Sequence, residues 1–178
     1  IFDYHTSQLR IIDILDKADA LRQKRKESIK IPDDFLRSTF LEMFNKNERQ
    51  FNSDTIINLL KKNNSIRTGP FGTQLKVSEF TTSGIPVLGI DNVVKNEFDK
   101  NYKRYLPEKK YNEFKKYRVF PRDVIITIMG TTGRVVVAPD DLTECMSTKH
   151  LCVLTFNDKI INPIYIWGAM LFDPNVKK

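Results

Sequence analysis

Val124-Ile125-Ile126-Thr127-Ile128-Met129-Gly130-Thr131-Thr132-Gly133-Arg134-Val135-Val136-Val137 is the stretch of this 178-residue sequence that decides the fold. Two apolar, largely β-branched runs flank a Gly-Thr-Thr-Gly segment, an arrangement that predicts two antiparallel strands joined by a hairpin turn. A phosphate-binding loop would need a Gly-Lys-Ser/Thr ending that opens a helix, whereas a second strand follows here. The stretch therefore predicts a β-sheet and argues against a nucleotide site.

Other short apolar runs bounded by turn residues surround this hairpin. Residues 86–90 and 151–156 are predicted strands, together with residues 124–129 and 134–138 of the hairpin itself. Residues 107–116 are predicted to form a helical insertion. Asn162 followed by Pro163 is typical of a helix start, and the final helix should run through Phe172. The region from residue 46 onward is therefore a mixed domain dominated by strands.

The first 45 residues have a different pattern. Between residues 7 and 29, one face of a predicted helix is marked by positions at intervals of four and three residues, the spacing of a coiled-coil seam: Ser7, Ile11, Ile14, Ala18, Leu21, Arg25 and Ser28. The seam is mostly apolar up to Leu21 and polar after it. Such a stripe buries little against its own chain, so we expect it to pack on a partner helix. The apolar seam residues, Ile11, Ile14, Ala18 and Leu21, are the candidate self-association surface.

Pro32 admits two interpretations of the arm. Proline is tolerated best in the first turn of a helix, which would make Pro32 the start of a second helix with Asp33 and Asp34 at its positive end. Alternatively, Pro32 lies inside one long, kinked helix. In either case the predicted fold class is α+β: a helical arm over residues 1–45, then a strand-dominated domain over residues 46–178, with polar residues 45–53 marking the boundary.

Positive charge is concentrated in the second domain. The formal net charge is +7, and residues 61–134 contain 15 Lys or Arg against 7 Asp or Glu. Within them, residues 95–122 interleave 10 basic residues with seven Phe and Tyr residues. This mixture suits a polyanion, because the cations neutralise phosphates and the rings provide rigid contact area. A solvated, lysine-rich face is the competing interpretation.

The residue types that catalysis or metal binding would need are poorly placed. Cys145, His150 and Cys152 lack the Cys-x-x-Cys spacing of zinc sites, and the other histidine is the distant His5. Asn162-Pro163-Ile164-Tyr165 resembles the Asn-Pro-Pro-Tyr motif of adenine methyltransferases, but no Gly-rich loop is present to hold S-adenosylmethionine. We therefore predict a protein that is not an enzyme, with no catalytic residue, no metal and no cofactor of its own.

The sequence also carries expectations about location and completeness. No apolar run approaches the roughly 20 residues that span a bilayer, so a cytoplasmic protein without membrane association is expected. The chain starts at Ile1 rather than methionine and stops at Lys178 without a closing element, which suggests a fragment of a longer protein.

Candidate nucleic-acid contacts come from four segments, of which the basic and aromatic stretch 95–122 is one. Gln74 and Arg67, in and beside a glycine-punctuated loop, are suited to adenine and guanine edges respectively. Arg134 lies directly after the hairpin turn, where it is a candidate to contact a DNA phosphate. Hydroxyl side chains and a lysine directly before the strand at residues 151–156 are candidates to contact the DNA backbone. The full set of candidates is Arg67, Thr73, Gln74, Lys76, Lys103, Arg104, Tyr105, Thr131, Thr132, Arg134, Lys149 and His150.

Taken in order, several of these segments resemble the specificity subunit of type I restriction-modification systems. Residues 8–22 and 36–44 are similar to the conserved helical spacer of that family, whereas the second domain is similar to a target-recognition domain. The matching segments of the second domain are residues 68–76, 84–88, 92–93, 123–127 and 130–134. The resemblance covers nearly the whole chain, and Pro32 departs from it by falling where related arms continue as helix.

The resemblance implies a division of labour. A target-recognition domain would read one half of a bipartite site in double-stranded DNA, and paired antiparallel helices would set the spacing. Methylation would belong to a modification subunit that uses S-adenosylmethionine, and cleavage to a separate restriction subunit that this chain meets only indirectly. The alternative function is a protein-protein assembly module of such a complex that binds little DNA itself.

Overall fold

The computed structural model describes residues 4–47 and 55–173. The chain divides into two compact units, Ile1–Phe51 and Asn52–Lys178. Most of the polar segment 45–53, the predicted boundary, lies outside the described residues. The two units are described separately below.

The described part of the first unit is one helix, α1, which runs from Tyr4 to Asn47 with Pro32 inside it. The interpretation of Pro32 as the start of a second helix is therefore wrong, and the chain continues through it as one helix. Proline removes one backbone N–H, which leaves the carbonyl of Ser28 without its usual donor four residues on. Exposed pairs one turn apart, such as Lys17 with Asp13 at 2.6 Å, lie along the helix.

The predicted seam of α1 is open to solvent in the single chain. Ile11, Ile14 and Leu21 have 57%, 56% and 61% of their surface exposed. Apolar side chains on the C-terminal half are also exposed, Phe35 among them at 70%. Because apolar surface gains about 25 cal/mol per Å² when it leaves water, this face favours contact with another apolar surface.

The second unit consists of two small sheets with short helices. Its strands are β1 (Ile66–Thr68), β2 (Ile85–Leu88), β3 (Tyr105–Leu106), β4 (Arg118–Val119), β5 (Val124–Thr127), β6 (Val135–Val137), β7 (Cys145–Ser147) and β8 (Leu151–Leu154). Its α-helices are α2 (Ile56–Leu59), α3 (Glu108–Glu113) and α4 (Pro163–Phe172), and 3-10 turns lie at Val77–Glu79, Ile90–Asn92 and Lys115–Tyr117.

One sheet has the order β1-β8-β5-β6 and is antiparallel throughout. The other has the order β3-β2-β7-β4, in which β2 and β7 run parallel and the remaining pairs are antiparallel. The predicted β5–β6 hairpin is confirmed, with Ile126 opposite Val135. The strands β1, β3, β4 and β7 were not predicted, since two or three residues carry too little periodicity to be distinguished from loop.

The core lies on both faces of these sheets. Ile125 and Val153 are fully buried in one cluster, whereas Val87 and Met146 of the second sheet are buried with Tyr111 of α3 in another. The predicted cap of α4 is confirmed: the side-chain oxygen of Asn162 accepts the Ile164 N–H at 3.1 Å. The indole of Trp167 donates to the Val135 carbonyl at 3.1 Å, fastening α4 to β6.

The predicted fold class is confirmed by this architecture. A long helix precedes a small strand-rich unit with short helices, an α+β arrangement. In the described part of the chain, no helix combines the length and the apolar character needed to cross a bilayer.

Candidate nucleic-acid interface

The β5–β6 turn presents polar side chains to solvent. Gly130 and Gly133 have φ angles of +72° and +77°, values that residues with a side chain adopt only with strain. The Thr127 hydroxyl accepts the Arg134 N–H at 2.9 Å, and the Thr127 carbonyl accepts the Gly133 N–H at 2.9 Å. The turn is therefore held rigidly from inside, while Thr131, Thr132 and Arg134 are exposed.

A cleft of about 920 Å³ lies beside this turn, lined by segments that follow β1, β2 and β7 and precede β3. Four of the predicted contact residues line it, drawn from two distant parts of the sequence: Lys103, Arg104, Lys149 and His150. Apolar side chains form much of the remaining wall, namely Pro70, Leu75, Val77, Phe80, Ile90 and Val94. The cleft thus combines cationic groups with apolar surface.

Asp91 organises the basic residues of the cleft. Its carboxylate forms an ion pair with Arg104 and lies 3.6 Å from the Lys103 amine. A side chain at Gly89 would collide with the Arg104 guanidinium, since a Cβ atom there would overlap one of its nitrogens. Among the described residues, Asp91 is the one acid that lines the cleft, so Lys103, Arg104 and Lys149 leave an excess of positive charge there.

Two buried polar atoms of cleft residues have no hydrogen-bond partner within the described residues. They are Nε of Arg104 and the hydroxyl oxygen of Thr148. A buried polar group without a partner costs roughly 1 to 3 kcal/mol, so such groups favour a ligand that supplies one. The sequence prediction placed Arg104 in the set of candidate contacts. Thr148 is one of the hydroxyl residues noted before the strand at residues 151–156, but it was not included in that set.

The loop after β1 borders the same cleft. Gly69 packs so closely on the backbone of β7 that a Cβ atom would overlap the Ser147 carbonyl oxygen. Beyond it, Thr73, Gln74 and Lys76 are exposed, while Leu75 is buried and anchors the loop. The loop therefore presents three predicted contact residues from a fixed base.

The hairpin turn and the cleft are neighbours in space. The Ile128 N–H donates to the carbonyl of His150 at 2.9 Å, which joins the end of β5 to the cleft wall. A Cβ atom on Gly130 would lie 3.2 Å from the side chain of Ile90, another wall residue. The structure thus brings the turn, the loop after β1 and the cleft together.

Arg67 does not lie on this surface and must be removed from the set of candidate base contacts. Only 4% of the residue is exposed, and its guanidinium donates to Asp123 at 2.6 Å, the Arg118 carbonyl at 3.1 Å and the Asn64 carbonyl at 2.5 Å. Burial lowers the pKa of Arg67, and the charge of Asp123 opposes that shift. All three nitrogens are thus occupied, and the bond to the Arg118 carbonyl joins β1 to β4 of the other sheet.

Asp123 is the ion-pair partner of Arg67. The sequence motifs did not predict this pair. Asp123 accepts hydrogen bonds from the Phe120 N–H at 2.7 Å and the Thr155 hydroxyl at 2.6 Å, in addition to that from Arg67. Burial raises the pKa of Asp123, and these donors act against the increase. Its position immediately before an apolar strand was the only available signal.

Tyr105 also lies outside the cleft lining. It is half-buried in β3, where its ring meets that of Tyr102 edge to face at a centroid distance of 6.4 Å. Its neighbours Lys103 and Arg104 line the cleft. The predicted contact segment 103–105 therefore contributes its two basic residues to the cleft, whereas Tyr105 packs within the domain.

Metal-binding and thiol chemistry have little support in the described residues. No group of three His, Cys, Asp or Glu side chains among them is arranged to hold a metal ion. Cys145 and Cys152 are free thiols, and burial raises the pKa of Cys145 to about 12. A thiol with so high a pKa is protonated at neutral pH and unreactive as a nucleophile.

No protein-family model matches the sequence, and no curated protein matches it. Several solved structures have a similar fold, including the following two. One is a chain from a structure of the type I R-M system described for its complex assembly and conformational transition, with 16% identity, a TM-score of 0.51, and 93% of this chain but 42% of that chain covered. The other is the HsdS subunit from Thermoanaerobacter tengcongensis, with 13% identity, a TM-score of 0.52, and 96% and 41% covered.

The present chain therefore spans about two fifths of the length of each of these structures. The resemblance to the specificity subunit is confirmed at the level of the fold, over nearly all of the present chain.

Proposed function

We propose that this chain recognises double-stranded DNA as the specificity subunit, or part of one, of a type I restriction-modification complex, and that it carries out no chemistry itself. The observation that carries the proposal is the convergence of Lys103, Arg104, Lys149 and His150 on one cleft beside two exposed polar loops. The similarity of fold to an HsdS subunit supports the same role.

The geometry suggests separate tasks for the basic residues. Arg104 is oriented by Asp91, and a guanidinium held in one direction suits recognition of a base edge. Lys103 is largely exposed, and it suits a phosphate as a point charge. Exposed Gln74, in the loop after β1, and exposed Arg134, directly after the hairpin turn, extend these contacts.

Exposed polar groups without base-specific geometry complete the proposed interface. Thr73, Thr131 and Thr132 carry short hydroxyl side chains that donate to phosphate oxygens, and Lys76 adds a further charge. Such contacts fix the position of a protein on the duplex, whereas discrimination between sequences comes from base edges.

The proposal includes protein partners. A modification subunit would bind S-adenosylmethionine and methylate the DNA, and the restriction subunit would join through it. We place the docking and self-association surface on α1, whose residues Ile11, Ile14 and Leu21 are more than half exposed. The smaller Ala18 between them allows a second helix to approach closely.

The same exposed face favours a second candidate function. If α1 binds the partner subunits tightly while the strand-rich unit binds DNA weakly, the chain is an assembly module. The two functions differ in one measurable property, because only direct DNA contact makes affinity depend on the lysines of the cleft.

The test uses the full chain together with its modification subunit. Selection from random duplexes at moderate salt should enrich a short sequence. In Lys103→Ala/Lys149→Ala, the slope of log Kobs against log salt should become less negative by about 0.9 for each phosphate that is no longer neutralised. Lys159→Ala is the matched control, because Lys159 is exposed and outside the cleft lining.

Enrichment of no sequence would overturn specific recognition. An unchanged salt slope in the double variant, with normal assembly of the complex, would instead favour the assembly module.

A further inference from the structure

Four lysines outside the cleft form a second basic surface in the strand-rich unit. Lys61 and Lys62 precede β1, whereas Lys115 and Lys116 precede β4. All four are exposed. We call these residues the lysine patch.

The patch is built by a turn that joins its two segments. Asn63 and Asn64 adopt φ angles of +69° and +47°, which reverse the chain directly after Lys62. The side-chain amide of Asn64 then donates to the carbonyl of Lys116 at 3.0 Å. The buried guanidinium of Arg67 holds the Asn64 carbonyl from below at 2.5 Å, so the turn has a fixed position.

Within the part of the chain that the structure describes, the positive charge of the patch is not compensated. Among the described residues, no carboxylate forms an ion pair with any of the four lysines. The nearest acid in sequence to Lys115, Glu113, is paired with Lys110 at 2.9 Å. Adjacent like charges repel one another, so the patch favours a polyanion that lowers this repulsion.

The patch is continuous with the proposed DNA interface through Tyr117. The Lys116 amine lies 5.0 Å from the centre of the Tyr117 ring. At its far end, the Tyr117 hydroxyl donates to the side-chain oxygen of Gln74 at 3.5 Å. The Tyr117 carbonyl accepts the hydroxyl of Ser147, which directly precedes the cleft residue Thr148.

We propose that the lysine patch binds the sugar-phosphate backbone of the same duplex, next to the segment read at the cleft. This inference rests on the proposed function. Lysine amines act as point charges on flexible stems and match phosphates without fixed geometry, whereas none of the four is held in an orientation that would read a base. The patch therefore contributes affinity and salt dependence but no sequence preference.

The test compares two double variants in the complete complex with the modification subunit. Lys115→Ala/Lys116→Ala removes two patch charges, and Lys109→Ala/Lys159→Ala removes two exposed lysines from elsewhere in the same unit. The slope of log Kobs against log salt should become less negative by about 1.8 in the patch variant and should not change in the control, because each neutralised phosphate contributes about −0.9 to the slope. The selected DNA sequence should be the same in both, and equal thermal midpoints would show that both fold.

Three outcomes would overturn the inference. An unchanged slope in the patch variant would show that the patch does not meet phosphate. A changed DNA sequence preference would assign the lysines to base reading, and loss of the modification subunit with unaltered DNA affinity would assign the patch to an acidic protein surface. Failure of the unaltered complex to bind any duplex would overturn the proposed function as well, so the two failures are distinguishable.

Discussion

The two units of this chain hold their apolar residues in opposite environments. Ile14 on α1 is 56% exposed, whereas Ile125 on β5 has no exposed surface. An isoleucine side chain therefore contributes to internal packing in the strand-rich unit, whereas on α1 it remains available to a partner. The strand-rich unit buries its apolar side chains within itself, whereas we expect α1 to depend for its stability on a partner that covers its apolar face.

The largest expected effect lies in the interior of the strand-rich unit. Asp123→Ala would leave the Arg67 charge buried without its partner, at a cost of about 3 to 5 kcal/mol. Chemical denaturation followed by tryptophan fluorescence would measure this loss through Trp167, which is the single tryptophan and contacts β6. A destabilisation below about 1 kcal/mol would contradict the structural role given to the Arg67–Asp123 pair.

A matched pair of substitutions tests the contrast between the units directly. Ile125→Ala should cost the strand-rich unit about 2 to 5 kcal/mol, because it leaves a cavity in a fully buried position. Ile14→Ala should leave the fluorescence unfolding midpoint unchanged but weaken self-association in light scattering at tens of micromolar. The contrast between the two units would be contradicted if both substitutions changed the unfolding midpoint and self-association to the same extent. It would also be contradicted if the unsubstituted chain were monomeric.

The smallest expected effect is a loss of stability at high pH. Burial raises the pKa of Cys145 from 9.0 and of Tyr111 from 10.0, each to about 12, so the folded unit keeps both protonated while the unfolded chain ionises. The resulting stabilisation is complete below about pH 9 and is lost as the pH rises toward 12. Between neutral pH and about pH 10.5 we expect the free energy of unfolding to fall by roughly 2 to 3 kcal/mol.

Denaturation at the two pH values measures this effect, and Cys145→Ala should reduce its size. A higher stability at about pH 10.5 than at neutral pH would have the wrong sign for groups whose pKa is raised by burial.

Prediction from the sequence succeeded where a local pattern was long enough. The β5–β6 hairpin and the cap of α4 at Asn162 are both encoded by residues adjacent in sequence. Pro32 was misleading, since an intrinsic preference for the first turn was overridden within a 44-residue helix. Arg67 was misleading for a different reason. An arginine beside a glycine-containing loop has the same local sequence pattern whether its side chain faces DNA or a buried aspartate.

By itself, the sequence determined the succession of a long helix and a strand-rich domain, the excess of positive charge, and most of the residues from which the proposed interface is drawn. These properties depend on composition and on short-range periodicity. Only the tertiary structure decided that Lys103 and Lys149 line one cleft, that Arg67 is buried, and that Lys62 and Lys116 lie on joined turns. The pairing of β2 with β7, about 60 residues apart, creates that cleft, and no local signal encodes such a contact.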